Sequence, residues 1–284
     1  AARNHLKNIL PVIDQALRQA KITPKKIDRI AVTVGPGLIT ALFTGFQAAQ
    51  VLSEIWQKPL VGVNHLKGHL YSAWLENKKI KYPAIGLIVS GGHTGIILIK
   101  NQKSFKKIGQ TLDDAAGEAF DKVAALLELG YPGGPVISRI ALEGNDQAFN
   151  FPRPMIDDNN FNFSYAGLKT AVLYTKNKIK KLDKKTKADF AASFQKAAID
   201  VLVAKTIKAA KKYKAKNIIM AGGVAANKLL REELDNAAKK EKINFIVPAI
   251  SLCTDNATII AAAAYFGKPT PYQKLRVDPN LDIV

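Results

Sequence analysis

The chain has 284 residues, 48% of them hydrophobic, so it can bury a core as one large domain or two medium ones and is not disordered. Neither a membrane span nor a signal peptide is expected, and the single cysteine, Cys253, excludes an internal disulfide and fits a reducing cytoplasm. With 42 basic against 23 acidic residues the formal net charge is +19, which fits a polyanionic partner such as nucleic acid and fits equally a surface filled with lysine.

Apolar residues at helical spacing (Leu6, Ile9, Leu10, Ile13, Leu17) predict a helix near 4–20. A short strand follows at Ile30–Val34, broken by Gly35-Pro36-Gly37, and then a long helix near 38–56. A second strand, Leu60–Val63, runs straight into a histidine stretch, Val63–His69. Strands at Ala84–Val89 and Gly95–Lys100 flank Ser90-Gly91-Gly92-His93-Thr94 and predict a β-hairpin. A helix is expected over 112–129, a glycine-rich loop over 130–135, an irregular loop over 151–164, and helices over 166–181 and 187–213. The strand Asn217–Met220 leads through Gly222-Gly223 into a helix ending near Lys240. A strand at Phe245–Val247 and a small-residue helix at Ala257–Tyr265 complete the pattern. Strands alternating with helices imply an α/β fold with its sites at strand C-terminal ends.

His65 and His69 stand four residues apart, which in a helix puts them on one face with Cβ atoms roughly 5–6 Å from each other. That spacing lets two imidazoles share a metal ion, although such pairs also arise by chance. Leu66 occupies the place where His-Glu-x-x-His metalloproteases carry their glutamate, so no general base is supplied there. Asp255 is the best third ligand, its ordinary alternative being a helix cap. Two histidines and a carboxylate suit iron or zinc with positions open to substrate. Cys253 is a softer candidate ligand or simply a packed side chain. The glycine-rich turns at 90–94, 132–135 and 222–227 suggest a nucleotide cleft. Asp121 offers an acceptor for ribose hydroxyls, or is a surface charge paired with Lys122; Asn227 offers a base or ribose contact, or is a cap.

Eight segments, in order, resemble the TsaD/Gcp family. They are Thr33–Leu38 (TVGPGL), Val63–His69 (VNHLKGH), Leu87–Thr94 (LIVSGGHT) and Asp113–Lys122 (DDAAGEAFDK). Tyr131–Pro135 (YPGGP), Phe163–Thr170 (FSYAGLKT), Ala221–Asn227 (AGGVAAN) and Cys253–Ala257 (CTDNA) continue the series. The resemblance implies an actin-like ATPase (ASKHA) fold of two βα lobes. The first would be 1–82 with 256–284 packing back on it, the second 83–255, and the whole chain one Gcp-like domain. It implies transfer of a threonylcarbamoyl group from threonylcarbamoyl-AMP to the exocyclic amine of adenosine-37, in tRNAs reading codons that begin with A. By similarity, His65, His69 and Asp255 bind one divalent metal, Fe2+ or else Zn2+. Ile88, Val89, Ser90, Gly91, Gly92, Asp121, Gly134 and Asn227 hold the adenylate. No catalytic general base is assigned. The implied partners are tRNA, a smaller paralogous (TsaB-like) subunit and a small (TsaE-like) ATPase, in the cytoplasm and without a membrane.

Two departures stand out. The family opens with a β-hairpin and an acidic, Ser/Thr-rich segment, whereas this chain begins at Ala1 in what looks like the following helix, so the opening strands are expected to be missing. Ser138 stands where some members carry an aspartate facing the nucleoside. The competing functions are a glycoprotein metalloendopeptidase, a label the family once carried, a non-catalytic scaffold paralogue, and a sugar or acetate kinase on the same fold.

Overall fold

The computed structural model describes residues 2–76 and 79–283, the first two as backbone. The chain divides into two compact units, one of Ala1–Leu75 with Asn256–Val284 and one of Glu76–Asp255.

The first unit opens with helix α1 (Ala2–Ala20), followed by strand β1 (Ile30–Gly35), helix α2 (Ile39–Trp56), strand β2 (Leu60–Asn64) and helix α3 (His65–Glu76). β1 and β2 pair in parallel, Ile30 opposite Leu60 through Thr33 opposite Val63, with the register shifting between Thr33 and Gly35. Parallel neighbours need a crossover, which α2 provides. A small core of Val32, Val34, Phe46, Ala49 and Leu60 is covered by Leu275, Val277 and Leu281 of the C-terminal tail. The switch from strand to helix at the histidines is made by Asn64, whose Oδ1 accepts from the backbone of Leu66 and Lys67 at 2.9 and 3.1 Å, the duty of an N-cap.

The second unit holds strands β3 (Ala84–Val89), β4 (Thr94–Asn101) and β5 (Ser104–Gln110), then helices α4 (Ala116–Leu126), α5 (Gly133–Ile140), α6 (Ala166–Asn177) and α7 (Lys184–Lys212). Strand β6 (Asn217–Ala221), helix α8 (Lys228–Lys240) and strand β7 (Asn244–Ile246) follow, and the chain returns to the first unit with helix α9 (Ala257–Phe266). The sheet order is β5-β4-β3-β6-β7. β3 runs antiparallel to β4 and parallel to β6, and β6 runs parallel to β7. All six residues of β3 are buried, as an unbroken apolar run in mid-sheet should be. The core beside it is aromatic: Phe120, Phe163, Tyr165, Phe190 and Phe194 are fully buried, with Phe120 and Phe194 edge to face at 5.0 Å.

Several boundaries depart from expectation, each for a physical reason. Strand β5 was not anticipated; its burial alternates poorly, and Lys106 and Lys107 interrupt its apolar pattern, as suits a sheet edge. α4 begins at Ala116 rather than at 112 because the two preceding aspartates have other partners. Asp113 accepts from the backbone of Tyr165 and Ala166 and from the Ser164 hydroxyl, so it anchors the start of α6. Asp114 bonds Lys122 and Lys169, both at 2.6 Å. α5 begins inside the stretch expected to be loop, at Gly133. α6 stops at Asn177, and α7 starts early at Lys184, where Asp183 caps it by accepting from Thr186 N at 2.9 Å. A tight turn, Gly223–Ala226, separates Gly222 from α8.

Candidate nucleotide cavity and metal-ligand group

The second unit contains a cavity of about 770 Å³ at the C-terminal ends of β3 and β6. Three turns converge on it. Gly91 follows β3, Gly134 lies in the first turn of α5, and Gly223 and Asn227 lead from β6 into α8. Asp121, from α4, and Ser138 and Gln195, from α5 and α7, add polar groups to a wall that also holds Arg139, Asn145, Asp146, Lys228 and Glu232.

The backbones come together here because the crowded positions are glycine. A Cβ on Gly133 would sit 2.5 Å from the Cα of Asp121, so α4 and α5 could not meet as they do. Gly222 has φ +99° and lies against Val89, whose carbonyl oxygen would be 2.3 Å from an added Cβ. Gly91, Gly92 and Gly134 differ: an added Cβ would meet nothing within 4 Å. Their surroundings are open space.

Asp121 is not the surface charge paired with Lys122 that its neighbour suggested. Its Oδ1 accepts from Gly133 N at 2.7 Å, while Lys122 bonds Asp114 and Glu118. Burial alone would raise the Asp114 carboxyl, but Lys122 and Lys169 outweigh it and hold the carboxyl below the usual range. Asn227 is the cap that was its ordinary alternative, and it also lines the cavity. Its Oδ1 caps α8 by accepting from Leu230 N at 3.0 Å, and its Nδ2 donates to Ser138 Oγ and Gln195 Oε1 at 2.9 and 2.8 Å. Ser138 Oγ also donates to Gln195 Oε1 at 2.9 Å. Gln195, which sequence reasoning missed, therefore closes a three-residue ring on the cavity wall; it lies among alanines in a long helix, with no motif to mark it.

Of the sequence-predicted adenylate residues, Gly91, Asp121, Gly134 and Asn227 line the cavity. Ile88 and Val89 are buried in β3, so a ligand could meet only their backbone. Ser90 lies at the start of the hairpin turn, where its Oγ accepts from His93 N at 3.1 Å, and Gly92 is in the same turn.

In the first unit, His65 and His69 lie on α3 with ring centroids 4.6 Å apart, edge to face. His69 is only 1% exposed. Gly68 lets α9 come close: a Cβ there would lie 2.8 Å from Ile260 Cδ1. Asp255 is the residue by which the chain enters that segment, one before Asn256. The cap of α9 is Asn256, whose Oδ1 accepts from Ile259 N at 3.1 Å, so capping is not what places Asp255. The potential ligand atoms of His65, His69 and Asp255 all lie within 4.8 Å of one another. Two imidazole nitrogens and one carboxylate at that separation fit a divalent transition metal with positions left open. Cys253 is outside the group. It is fully buried, its Sγ is 3.0 Å from Arg231 Nη2, and burial raises its thiol more than Arg231 lowers it. Leu66 is buried at 8% exposure, so the position following His65 contributes packing.

The two α/β units and the glycine turns at strand ends define a protein of the actin-like ATPase fold. Solved structures agree: full-length HypF in a phosphate- and nucleotide-bound form superposes with TM-score 0.65 at 14% identity, over 88% of this chain and 40% of that one. Component A of the Acidaminococcus fermentans (R)-2-hydroxyglutaryl-CoA dehydratase gives 0.51 at 16% identity, over 93% and 83%. The family model for TsaD, tRNA N6-adenosine threonylcarbamoyltransferase, matches residues 1–262. The Thermosipho melanesiensis protein of that name is 56% identical over 265 residues, 93% of this chain and 80% of the relative. The Persephonella marina one is 51% identical over 299 residues, 100% of this chain and 85% of the relative. The chain belongs to the TsaD family, and with it to the acyltransferases.

Proposed function

We propose that the chain moves a threonylcarbamoyl group from threonylcarbamoyl-AMP to the exocyclic amine of adenosine-37, in tRNAs reading codons that begin with A. The observation that carries this reading is the convergence of Gly91, Asp121, Gly134 and Asn227 on one cavity of about 770 Å³, a size suited to an adenylate. The glycine turns would take the phosphate on backbone N–H groups. Asp121 would accept from the ribose, and the ring that Asn227 forms with Ser138 and Gln195 would face the nucleoside. Ile88 to Gly92 would frame the adenylate through their backbone, with the Ser90 hydroxyl available at the turn. None of the carboxylates on the cavity wall, Asp121, Asp146 and Glu232, is assigned as a general base, and positioning and fixed electrostatics would carry most of the rate.

His65, His69 and Asp255 would hold one divalent metal, Fe2+ or else Zn2+, supplying Lewis-acid polarisation and a template for substrate oxygens. The protein's own contribution is to fix the two imidazoles on one helix face and to bring the carboxylate to them.

The partner reading is a smaller paralogous subunit of the TsaB kind and a small ATPase of the TsaE kind, in the cytoplasm. No described helix is long and apolar enough to cross a membrane. Support for a protein partner comes from α1 and α2, which leave Leu6, Leu10, Phe43, Val51 and Ile55 exposed.

The test is genetic and chemical together. Cells lacking their own enzyme receive the gene with its partners, and tRNA nucleosides are read by mass spectrometry. Threonylcarbamoyladenosine should return; its absence, with the protein folded and the partners present, would defeat the proposal.

A further inference from the structure

The second unit carries another concavity, of about 620 Å³, lined by Lys79, Lys81, Lys211, Lys214, Lys216 and Lys242 against one acid, Glu241. It lies at the opposite end of the sheet from the nucleotide cavity. Lys81 precedes β3, Lys216 and Asn217 open β6, and Asn244 opens β7, whereas Gly91 and Gly223 follow β3 and β6. Strands of five and six residues separate the two by roughly 16–20 Å at about 3.3 Å per residue.

In sequence the lysines lie in three separate stretches, 79–81, 211–216 and 242. The fold gathers them. α7 and α8 end in the same way: Ala215 N bonds Ala210 O and Lys214 N bonds Lys211 O, just as Ile243 N bonds Ala238 O and Lys242 N bonds Lys239 O. Lys214 and Lys242 thus occupy equivalent left-handed corners, with φ 49° and 57°, from which β6 and β7 depart side by side. Lys211 takes the acid, with Nζ 2.9 Å from Glu241 Oε1. The floor is polar as well: Asn244 Nδ2 donates to Asn217 Oδ1 at 2.9 Å, and Asn217 Nδ2 donates to the Lys81 carbonyl. Concentrating lysines around one groove works against folding through like-charge repulsion. A polyanion seated there would relieve it.

We infer that this groove binds the phosphate backbone of the tRNA substrate, at a point remote from the reacting adenosine. The inference rests on the tRNA reading above. An RNA suits it better than a free phosphate because a small ligand could occupy one end of the sheet only, while a tRNA can reach both. The lysines would give affinity and orientation and no sequence preference.

The experiment uses the full chain. Binding of an unmodified tRNA is measured against salt for wild type, for K214E/K216E/K242E, and for K180E/K181E as a control at exposed lysines elsewhere. The triple variant should bind roughly tenfold or more weakly, with the salt slope reduced by about one for each phosphate no longer neutralised. Its KM for tRNA should rise with kcat kept, while transfer to an isolated anticodon stem-loop is unchanged. Unchanged affinity and slope in the triple variant, or an equal loss in the control, overturns the inference. Pyrophosphate is the small-anion probe: binding of it lost in the triple variant while tRNA binding is kept also overturns it. Should the triple variant unfold, K214Q/K216Q/K242Q replaces it with the same expected direction. If the wild type binds tRNA through these lysines and yet transfers nothing, the transferase reading fails and the groove stands.

Discussion

Asn227 Nδ2 donates to Gln195 Oε1 at 2.8 Å while Asn227 Oδ1 caps α8 through Leu230 N. One side chain thus ties a helix start to the cavity wall. Asn227→Asp keeps the cap and loses the donor, and it sets a carboxylate against the Gln195 oxygen. Its melting temperature should stay within a few degrees of wild type while KM for the adenylate rises. Asn227→Ala should lose the cap as well, at about 1 kcal/mol. Thermal unfolding beside steady-state kinetics separates the two; unchanged KM in both variants counts against a substrate contact at this residue.

His65→Ala, His69→Ala and Asp255→Asn should each reduce bound Fe2+ or Zn2+ well below one per chain, measured by elemental analysis after dialysis. Full metal retention in all three would sink the assignment.

Asp114 gives a pH signature. Its carboxyl is held below the usual range because Lys122 and Lys169 outweigh the burial that would raise it. A depressed carboxylate contributes stability above its unfolded value, about 3.9, and that stability drains away as pH falls through the folded value. Asp114→Asn should therefore be less stable than wild type at neutral pH, by roughly 1–3 kcal/mol. The gap should close in acid below about pH 3.9. Denaturant titrations across pH 2.5–7, in roughly half-unit steps, test it. A gap independent of pH would mean that Asp114 acts through packing.

Tyr165 is fully buried and its hydroxyl has no hydrogen-bond partner among the described residues. Burial, with the nearby Asp113 charge, pushes its ionisation far up, so it stays neutral. An unpaired buried hydroxyl costs about 1–3 kcal/mol. Tyr165→Phe should keep the ring's packing and raise the melting temperature, and a clear fall in differential scanning calorimetry would show that the hydroxyl is satisfied.

Much of the architecture is legible in local sequence patterns. The β3–β4 hairpin, the β1–α2–β2 crossover, the histidine face of α3 and the glycine turns rest on local patterns of period and backbone freedom, which act within a few residues. The remaining features depend on contacts between distant segments. Asp255 meets His65 and His69 from far along the chain, with Asn256 taking the cap beside it. Asp113 and Asp114 leave α4 to hold α6 and two lysines. Gln195 completes the Asn227 ring from the middle of α7, and three lysine stretches become one groove. A side chain's partner is chosen by which segments the core brings together, and local sequence carries no record of that choice.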